Sequence, residues 1–395
     1  MTSTVLPGGG KTSRRRLCFV ATVPFAINVF LRAHIHALQK YYDVTLVANG
    51  SAEDLIDSFG DHVSFVPLPI ERKISLKNDI CALFRLWRLF RKERFDGVHS
   101  IMPKAGLLSM LAARLAGVRL RVHTFTGQVW ANKKGFRRFV LKSFDKVLAM
   151  NATQVFADSH SQCRFLIENN IVKARAIDVL GEGSVVGVNI KRFEYSQKVW
   201  QQIRSEHQIP GDAVVFMFMG RLTRDKGLMD LSRAFSAAAR QNANIHLLIV
   251  GSDEEGLEQE FYSLAKNFPG RVHRAGFAEH PEEYLSAADV FCLPSYREGF
   301  GSVLIEAAAV GLPSIASRIY GITDAVEDGV TGILHHPASD REIAEAMLQL
   351  ASNEGLRRQM GGAARQRAIE KFSEEHVTEA WVDFYRRSFS TAGQA

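Results

Sequence analysis

Residues 289–310 read DVFCLPSYREGFGSVLIEAAAV, and the parsing of this stretch decides the fold. Residues 289–294 (DVFCLP) form a short apolar run ended by a proline, the pattern of a strand buried on both faces. Residues 303–310 are apolar and alanine-rich, which favours a helix. Glu298 to Ser302 is therefore a strand-to-helix turn. In an open α/β sheet, ligands sit beyond the carboxyl ends of strands, and a helix that starts there aims unsatisfied N–H groups at them. The amides of Ser302, Val303 and Leu304 suit a phosphate. Gly299 and Gly301, on either side of Phe300, let backbone approach a ligand closely. Glu298 precedes the helix and Glu306 lies a turn inside it, so the two carboxylates can flank an extended ligand and accept hydrogen bonds from different hydroxyls. A hexose at one end and a ribose at the other fit this arrangement.

The same alternation recurs along the chain. Residues 17–23 read as a strand, 24–28 as a turn, 30–39 as a helix and 43–48 as a second strand; FDGVHS (95–100) and LRVHT (120–124) add two more. Further on, residues 213–219, 246–250, 289–293 and 314–317 supply strands of a second sheet. Strands separated by helices predict parallel sheets, hence an α/β protein. With 395 residues, 46% hydrophobic and 23% charged, the chain divides into two core-forming domains. The expected division is a disordered Gly/Ser/Thr-rich tail at 1–13, an N-terminal domain at 14–190, a C-terminal domain at 191–373 and an amphipathic helix at 374–395 (EEHVTEAWVDFYRRS at its start). Arg14 to Arg16 followed by fifteen uncharged residues is not read as a signal peptide: Pro24 and Asn28 interrupt the run and no small-residue cleavage site follows. That run is also short of the roughly 18 residues that span a bilayer. The four cysteines, Cys18, Cys81, Cys163 and Cys292, are far apart with no C-x-x-C pair, which suggests neither a zinc site nor a disulfide framework and fits a reducing cytoplasm.

The spacing E-x7-E around G-F-G resembles the retaining glycosyltransferases of GT-B fold, in particular glycosyltransferase family 4 (glycosyl transferases group 1). The resemblance continues in GRLTRDKG (220–227), RAGF (274–277), GLPSIAS (311–317) and EDGVTGIL (327–334), and so covers most of residues 214–337. It implies two Rossmann-like domains facing across a cleft, with the C-terminal helix returning to the first. It also implies a donor site in which Arg221 and Lys226 hold the pyrophosphate, Gly276 and Phe277 lie at the base, and Glu306 holds the ribose. Glu298 would hold the sugar, and Gly299, Phe300, Gly301, Ser302, Val303 and Leu304 would line the phosphates. His123, in RVHTFTGQ, matches a strand-end histidine beside the reacting centre in that family; from the residue alone, a structural histidine fits equally. GEGSVVGVNIKRF (181–193) resembles the segment joining the two halves. Where family members have a glycine-rich turn after the first strand, this chain has VPFAIN (23–28), which points Asn28 towards an acceptor pocket. Lys, Arg and helix amides can stabilise a departing diphosphate without a metal. No D-x-D occurs, and no metal or other cofactor is expected.

Charge is uneven. Residues 1–195 contain 29 Lys plus Arg and 15 Asp plus Glu, net +14; the remainder, with 20 and 27, is net −7, and the sum is the +7 of the whole. ICALFRLWRLFRKER (80–94) places Leu83, Leu86, Trp87 and Phe90 among arginines, an amphipathic helix whose apolar stripe can pack on the sheet or touch a membrane surface. In residues 127–150, Lys133, Lys134, Arg137 and Arg138 alternate with Trp130, Phe136 and Phe139. This is either a solvated basic face or a surface for anionic headgroups and a lipid diphosphate. No nucleic-acid motif is present.

The segments at 98–117, 123–136 and 157–172 resemble bacterial family 4 enzymes of capsule and O-antigen assembly. That resemblance implies a peripheral protein on the inner face of the cytoplasmic membrane. Its donor would be a UDP-sugar, an N-acetylated one, and its acceptor an undecaprenyl-diphosphate-linked saccharide. Two alternatives stay open at this point: a non-hydrolysing UDP-sugar 2-epimerase of GT-B fold, and a non-catalytic module that binds nucleotide sugar or lipid.

Overall fold

The computed structural model describes residues 14–56, 59–71 and 75–390; the tail expected at 1–13 lies outside them. Thirteen strands follow in chain order among these residues. They are β1 (Arg16–Val20), β2 (Asp43–Ala48), β3 (Val63–Pro67), β4 (Gly97–Ile101), β5 (Leu120–Phe125), β6 (Gln154–Ala157), β7 (Ile177–Val179), β8 (Val214–Met219), β9 (Ile245–Val250), β10 (Val272–Ala275), β11 (Val290–Leu293), β12 (Ser314–Ser317) and β13 (Gly332–His335). They make one sheet of order β3-β2-β1-β4-β5-β6-β7 and one of order β10-β9-β8-β11-β12-β13. The pairings of β1 with β2 and β4, and of β8 with β9 and β11, are parallel. Each sheet is built from a first strand at its centre, with the chain winding outward one way and then the other. The order reverses between β1 and β4 and again between β8 and β11, and at such a reversal the connections diverge and open a crevice at the carboxyl ends of the strands. This is the α/β architecture of two Rossmann-like sheets expected from the sequence.

By internal contacts the chain divides into two compact units, Met1–His123 with Asn151–Thr153, and Thr124–Met150 with Gln154–Ala395. This cut falls within β5, whereas the expected domain division lies at 190, on a criterion of family organisation rather than contact density.

In the smaller unit, β1 (RLCFV) is buried along nearly its whole length, as an inner parallel strand requires. Residues 24–28 are not a turn. Pro24 occupies the first position of a helix, Pro24–Phe30, where its fixed φ is preorganised and its missing N–H costs nothing. A second helix, Arg32–Leu38, follows a break at Leu31. The Leu76–Glu93 helix packs against Pro103–Ala116 and buries Ala82, Leu86 and Phe90.

In the larger unit, β8, β9 and β11 are buried at every position, and the Leu228–Gln241 and Ser302–Val310 helices cover them with Leu228, Leu231, Phe235, Leu304 and Ile305. The Glu374–Ser390 helix buries Val377, Trp381, Val382 and Tyr385. Its Phe384 meets Phe156 of β6 edge-to-face at 4.9 Å, so the terminal helix does return to a strand of the first sheet.

Candidate active site

The site lies at the β8/β11 reversal of the larger unit. β8 leads into GRLTRDKG and β11 into PSYREGFG, so a basic loop and a carboxylate loop leave adjacent strands at the same end of the sheet. Gly227 makes their approach possible. Its φ is +71°, and a Cβ there would stand 2.0 Å from the Pro294 carbonyl oxygen. Around this contact the loops are tied together: the Tyr296 amide donates to the Asp225 carbonyl at 2.8 Å, Arg297 pairs with Asp225 at 3.1 Å, and the Tyr296 hydroxyl donates to the buried Asp230. At the centre, Lys226 Nζ lies 2.6 Å from Glu298 Oε1. The cation and the carboxylate expected to serve different parts of a ligand thus share one point.

Gly299 allows a second close approach. A Cβ on it would stand 2.4 Å from the Thr126 carbonyl oxygen and 2.9 Å from Asp158 Oδ2. The chain then enters the Ser302–Val310 helix through Gly301, at φ +79°, with no side-chain cap. The Leu304 amide is turned back onto the Gly301 carbonyl at 2.8 Å, so it does not serve a phosphate. The Ser302 and Val303 amides, in the first turn, are the donors the helix geometry offers. Phe300 and Leu304 are each 1% exposed, and Phe300 packs against Phe372 at 5.2 Å. Their side chains belong to the core, and only their backbone can face a ligand.

Glu306 has no hydrogen-bond or ion-pair partner among the described residues. Burial pushes its carboxyl up to about 7, with Arg192 opposing and Glu282 adding to the shift. Its oxygens can therefore accept hydrogen bonds when ionised, and one of them can donate when the carboxyl is protonated. Phe277 is 71% exposed just past β10, and the Gly276 carbonyl accepts from the Gly251 amide at 2.9 Å. Arg221 pairs with Glu254 at 2.9 Å on the surface, so a diphosphate would have to draw it from that partner.

Two expected residues belong to the smaller unit. His123 is fully buried, its Nδ1 is 2.9 Å from the Ser100 hydroxyl, and burial pulls its pKa down to about 3; it is neutral at physiological pH. Asn28 donates to the Asp54 carbonyl at 2.9 Å and accepts from the Ile56 amide at 3.1 Å, fastening residues 54–56 to the first helix. Of the basic residues expected to face a membrane, Lys133, Lys134 and Arg137 are exposed. Arg138 is not an open cation. It bonds to Asn169 at 3.2 Å and lies over Trp130 at 5.6 Å, while Trp130 is itself buried and donates to Asp145 at 2.7 Å.

One carboxyl was missed in the sequence. Asp158 directly follows β6, accepts from the Val185 amide at 2.8 Å through Oδ1, and turns Oδ2 towards Gly299. Burial, with Glu298 nearby adding to it, pushes its pKa up to about 7 against the pull of the Val185 amide. An acid at the carboxyl end of a strand was the available signal, but the sequence analysis read no strand at 154–157.

Two parallel sheets with a cationic loop, a helix start and two carboxylates at a strand reversal define an α/β protein of two Rossmann-like sheets with a polar site at the carboxyl ends of its strands. Residues 200–367 match the model of the glycosyl transferases group 1, and residues 26–183 that of the glycosyl transferase 4-like domain. The capsular polysaccharide biosynthesis glycosyltransferase CapM of Staphylococcus aureus is 31% identical over 374 residues, covering 94% of this chain and 97% of that protein. An Escherichia coli UDP-Gal:alpha-D-GlcNAc-diphosphoundecaprenol alpha-1,3-galactosyltransferase is 29% identical over 75% of this chain and 76% of its own. Among solved structures, Anabaena Alr3699/HepE in complex with UDP and glucose superposes with a TM-score of 0.76 at 17% identity, over 94% of this chain and all of that one. Sucrose-phosphate synthase from Thermosynechococcus elongatus superposes at 0.79 with 24% identity, over 96% and 100%. The chain belongs to the glycosyl transferases group 1 family and has the GT-B fold. It is a glycosyltransferase.

Proposed function

We propose that the chain transfers a sugar, an N-acetylated one, from a UDP-sugar to an undecaprenyl-diphosphate-linked saccharide in surface polysaccharide synthesis, with retention of configuration and without a metal. The reaction would take place on the inner face of the cytoplasmic membrane, to which the basic half of the chain would be drawn. The observation that carries this reading is the Lys226–Glu298 pair at 2.6 Å, beside the Ser302–Val310 helix start. In the proposed reaction, Lys226 and Arg221 turn to the donor diphosphate and the helix amides meet its oxygens, stabilising the negative charge that grows as the glycosidic bond opens. Glu298, released from Lys226, accepts hydroxyls of the sugar, and Glu306 those of the ribose. The acceptor hydroxyl attacks the anomeric carbon from the side the diphosphate leaves, and its proton passes to a phosphate oxygen of that leaving group. His123, neutral, is fit to accept or donate a hydrogen bond but not to carry a charge. One relative named above supports a UDP-linked donor and a lipid-diphosphate acceptor, since its name gives UDP-Gal and a diphosphoundecaprenol-linked GlcNAc; its N-acetylated sugar is on the acceptor, and the N-acetylated donor proposed for this chain rests on the sequence resemblance alone.

Calorimetric titration with UDP and GDP, on wild type and Glu306→Ala in parallel, tests this reading. Micromolar UDP binding that weakens about tenfold or more in the variant is expected, as a charge-assisted pair of hydrogen bonds is lost. A folded wild type that binds neither nucleotide would overturn it.

A further inference from the structure

The Leu76–Glu93 helix has two apolar stripes where one was expected. Ala82, Leu86 and Phe90 form the buried one. The second runs through Leu76, Ile80, Phe84 and Trp87, at spacings of four, four and three residues, and so lines a single face of the helix. It points outward: Leu76 is 80% exposed, Ile80 65% and Phe84 57%, while Trp87 is half-buried with its ring 5.4 Å from that of Phe84. Single apolar residues on a surface are ordinary, but a continuous stripe along three turns marks a contact surface.

The charges beside the stripe identify its partner. Lys77, Arg85, Arg88, Arg91 and Lys92 are all exposed on the same helix. Its two carboxylates are both engaged by cations, Asp79 with Lys104 at 2.5 Å and Glu93 with Arg16 at 2.7 Å. A second copy of the same face would set these cations against one another. A layer of anionic headgroups over acyl chains matches both features, with cations at the phosphates and aliphatic and aromatic side chains just below. We propose that this helix lies in the interface of an anionic bilayer with Leu76, Ile80, Phe84 and Trp87 inserted among the lipids. This inference deepens the lipid-acceptor reading of the proposed function and rests on it. It differs from that reading in naming the contact: the helix at 76–93 makes the apolar insertion.

Trp87 supplies a local probe. Trp130 and Trp381 are each 1% exposed, and Trp200, half-buried like Trp87, lies on another helix under the Arg204 guanidinium at 4.5 Å, so the Trp87→Phe variant assigns lipid quenching of tryptophan fluorescence to Trp87. The full chain is mixed with phosphatidylglycerol–phosphatidylcholine vesicles, with and without brominated acyl chains, in the absence of nucleotide. Quenching by the brominated lipid that disappears in Trp87→Phe is expected, together with a loss of vesicle affinity of about tenfold or more in Ile80→Glu/Phe84→Glu. Because both replaced side chains are exposed, that double variant should retain its thermal unfolding temperature and its UDP affinity. Three results would overturn the inference: vesicle binding without Trp87-dependent quenching, no binding to anionic vesicles by a UDP-binding protein, or a dimer that the double variant dissolves. Quenching with no UDP binding would instead leave the lipid contact standing and remove the UDP-sugar donor of the proposed function.

Discussion

Asp158 illustrates what a single buried carboxyl does to this fold. Its ordinary value of 3.8 is raised to about 7 because burial disfavours its charged form more than the Val185 amide favours it. A carboxyl raised in the folded state holds its proton more tightly there than in the unfolded chain. The stability this provides is complete below about pH 4 and is lost as pH rises to about 7, a swing on the order of 4 kcal/mol. Asp158→Asn keeps an oxygen for the Val185 amide and removes the ionisation. The unfolding temperature of the variant should therefore exceed that of the wild type by a margin that widens from pH 4 to pH 8, followed by calorimetry. A margin independent of pH would mean that the carboxyl is solvated rather than buried. Glu306, raised to about 7 by burial as well, is expected to add to the same pH window.

At the scale of elements, the site depends on how close two loops can come. Gly227 is held at φ +71° with the Pro294 oxygen 2.0 Å from where a Cβ would be, so Gly227→Ala meets both backbone strain and a clash with main chain. The loop must shift, and Lys226, one residue earlier, shifts with it away from Glu298. A drop of several degrees in unfolding temperature and a loss of UDP affinity of about tenfold or more are expected. Gly362 is the contrast: it sits inside the Glu354–Phe372 helix with nothing within 4 Å of where a methyl would project, so Gly362→Ala should raise stability by up to about 1 kcal/mol. Equal behaviour of the two variants would show that the approach of the loops is not constrained. The strands and the Glu298–Glu306 turn were legible in the sequence because apolar runs with glycine or proline boundaries leave few alternatives. Asp158 was legible only as an acid after a short apolar run that was not read as a strand, and its relation to Gly299, 141 positions away, is encoded by no local pattern. The basic-aromatic alternation at 127–150 was legible as composition but not as orientation. An arginine over a buried indole and an arginine beside an exposed phenylalanine have the same spacing, and only the Trp130–Asp145 and Arg138–Asn169 bonds distinguish them. The helix at 76–93 likewise carries two stripes, and periodicity alone does not say which one packs inward.

For the whole molecule, the decisive property is the separation of charge. Net +14 in residues 1–195 and −7 in the remainder make the chain electrically two-sided in sequence, and the residues proposed to hold the nucleotide, between 221 and 306, all lie in the acidic part. No helix among the described residues is long and apolar enough to cross a membrane. The attachment proposed for these residues combines surface charge with side-chain insertion. The two contributions respond differently to salt. Attraction between Lys or Arg and anionic headgroups is screened as the Debye length falls from about 10 Å at 0.1 M to about 3 Å at 1 M, whereas insertion of apolar side chains is not. Binding to vesicles rich in anionic lipid should therefore fall steeply between these concentrations, to a residual level held by the apolar stripe at 76–87. In Ile80→Glu/Phe84→Glu the residual level should vanish while the salt-sensitive part persists, reduced by the two added carboxylates. Sedimentation with vesicles across a salt series separates the two parts. Binding that does not change with salt would mean that the basic half contributes nothing to attachment and that its charge serves another ligand.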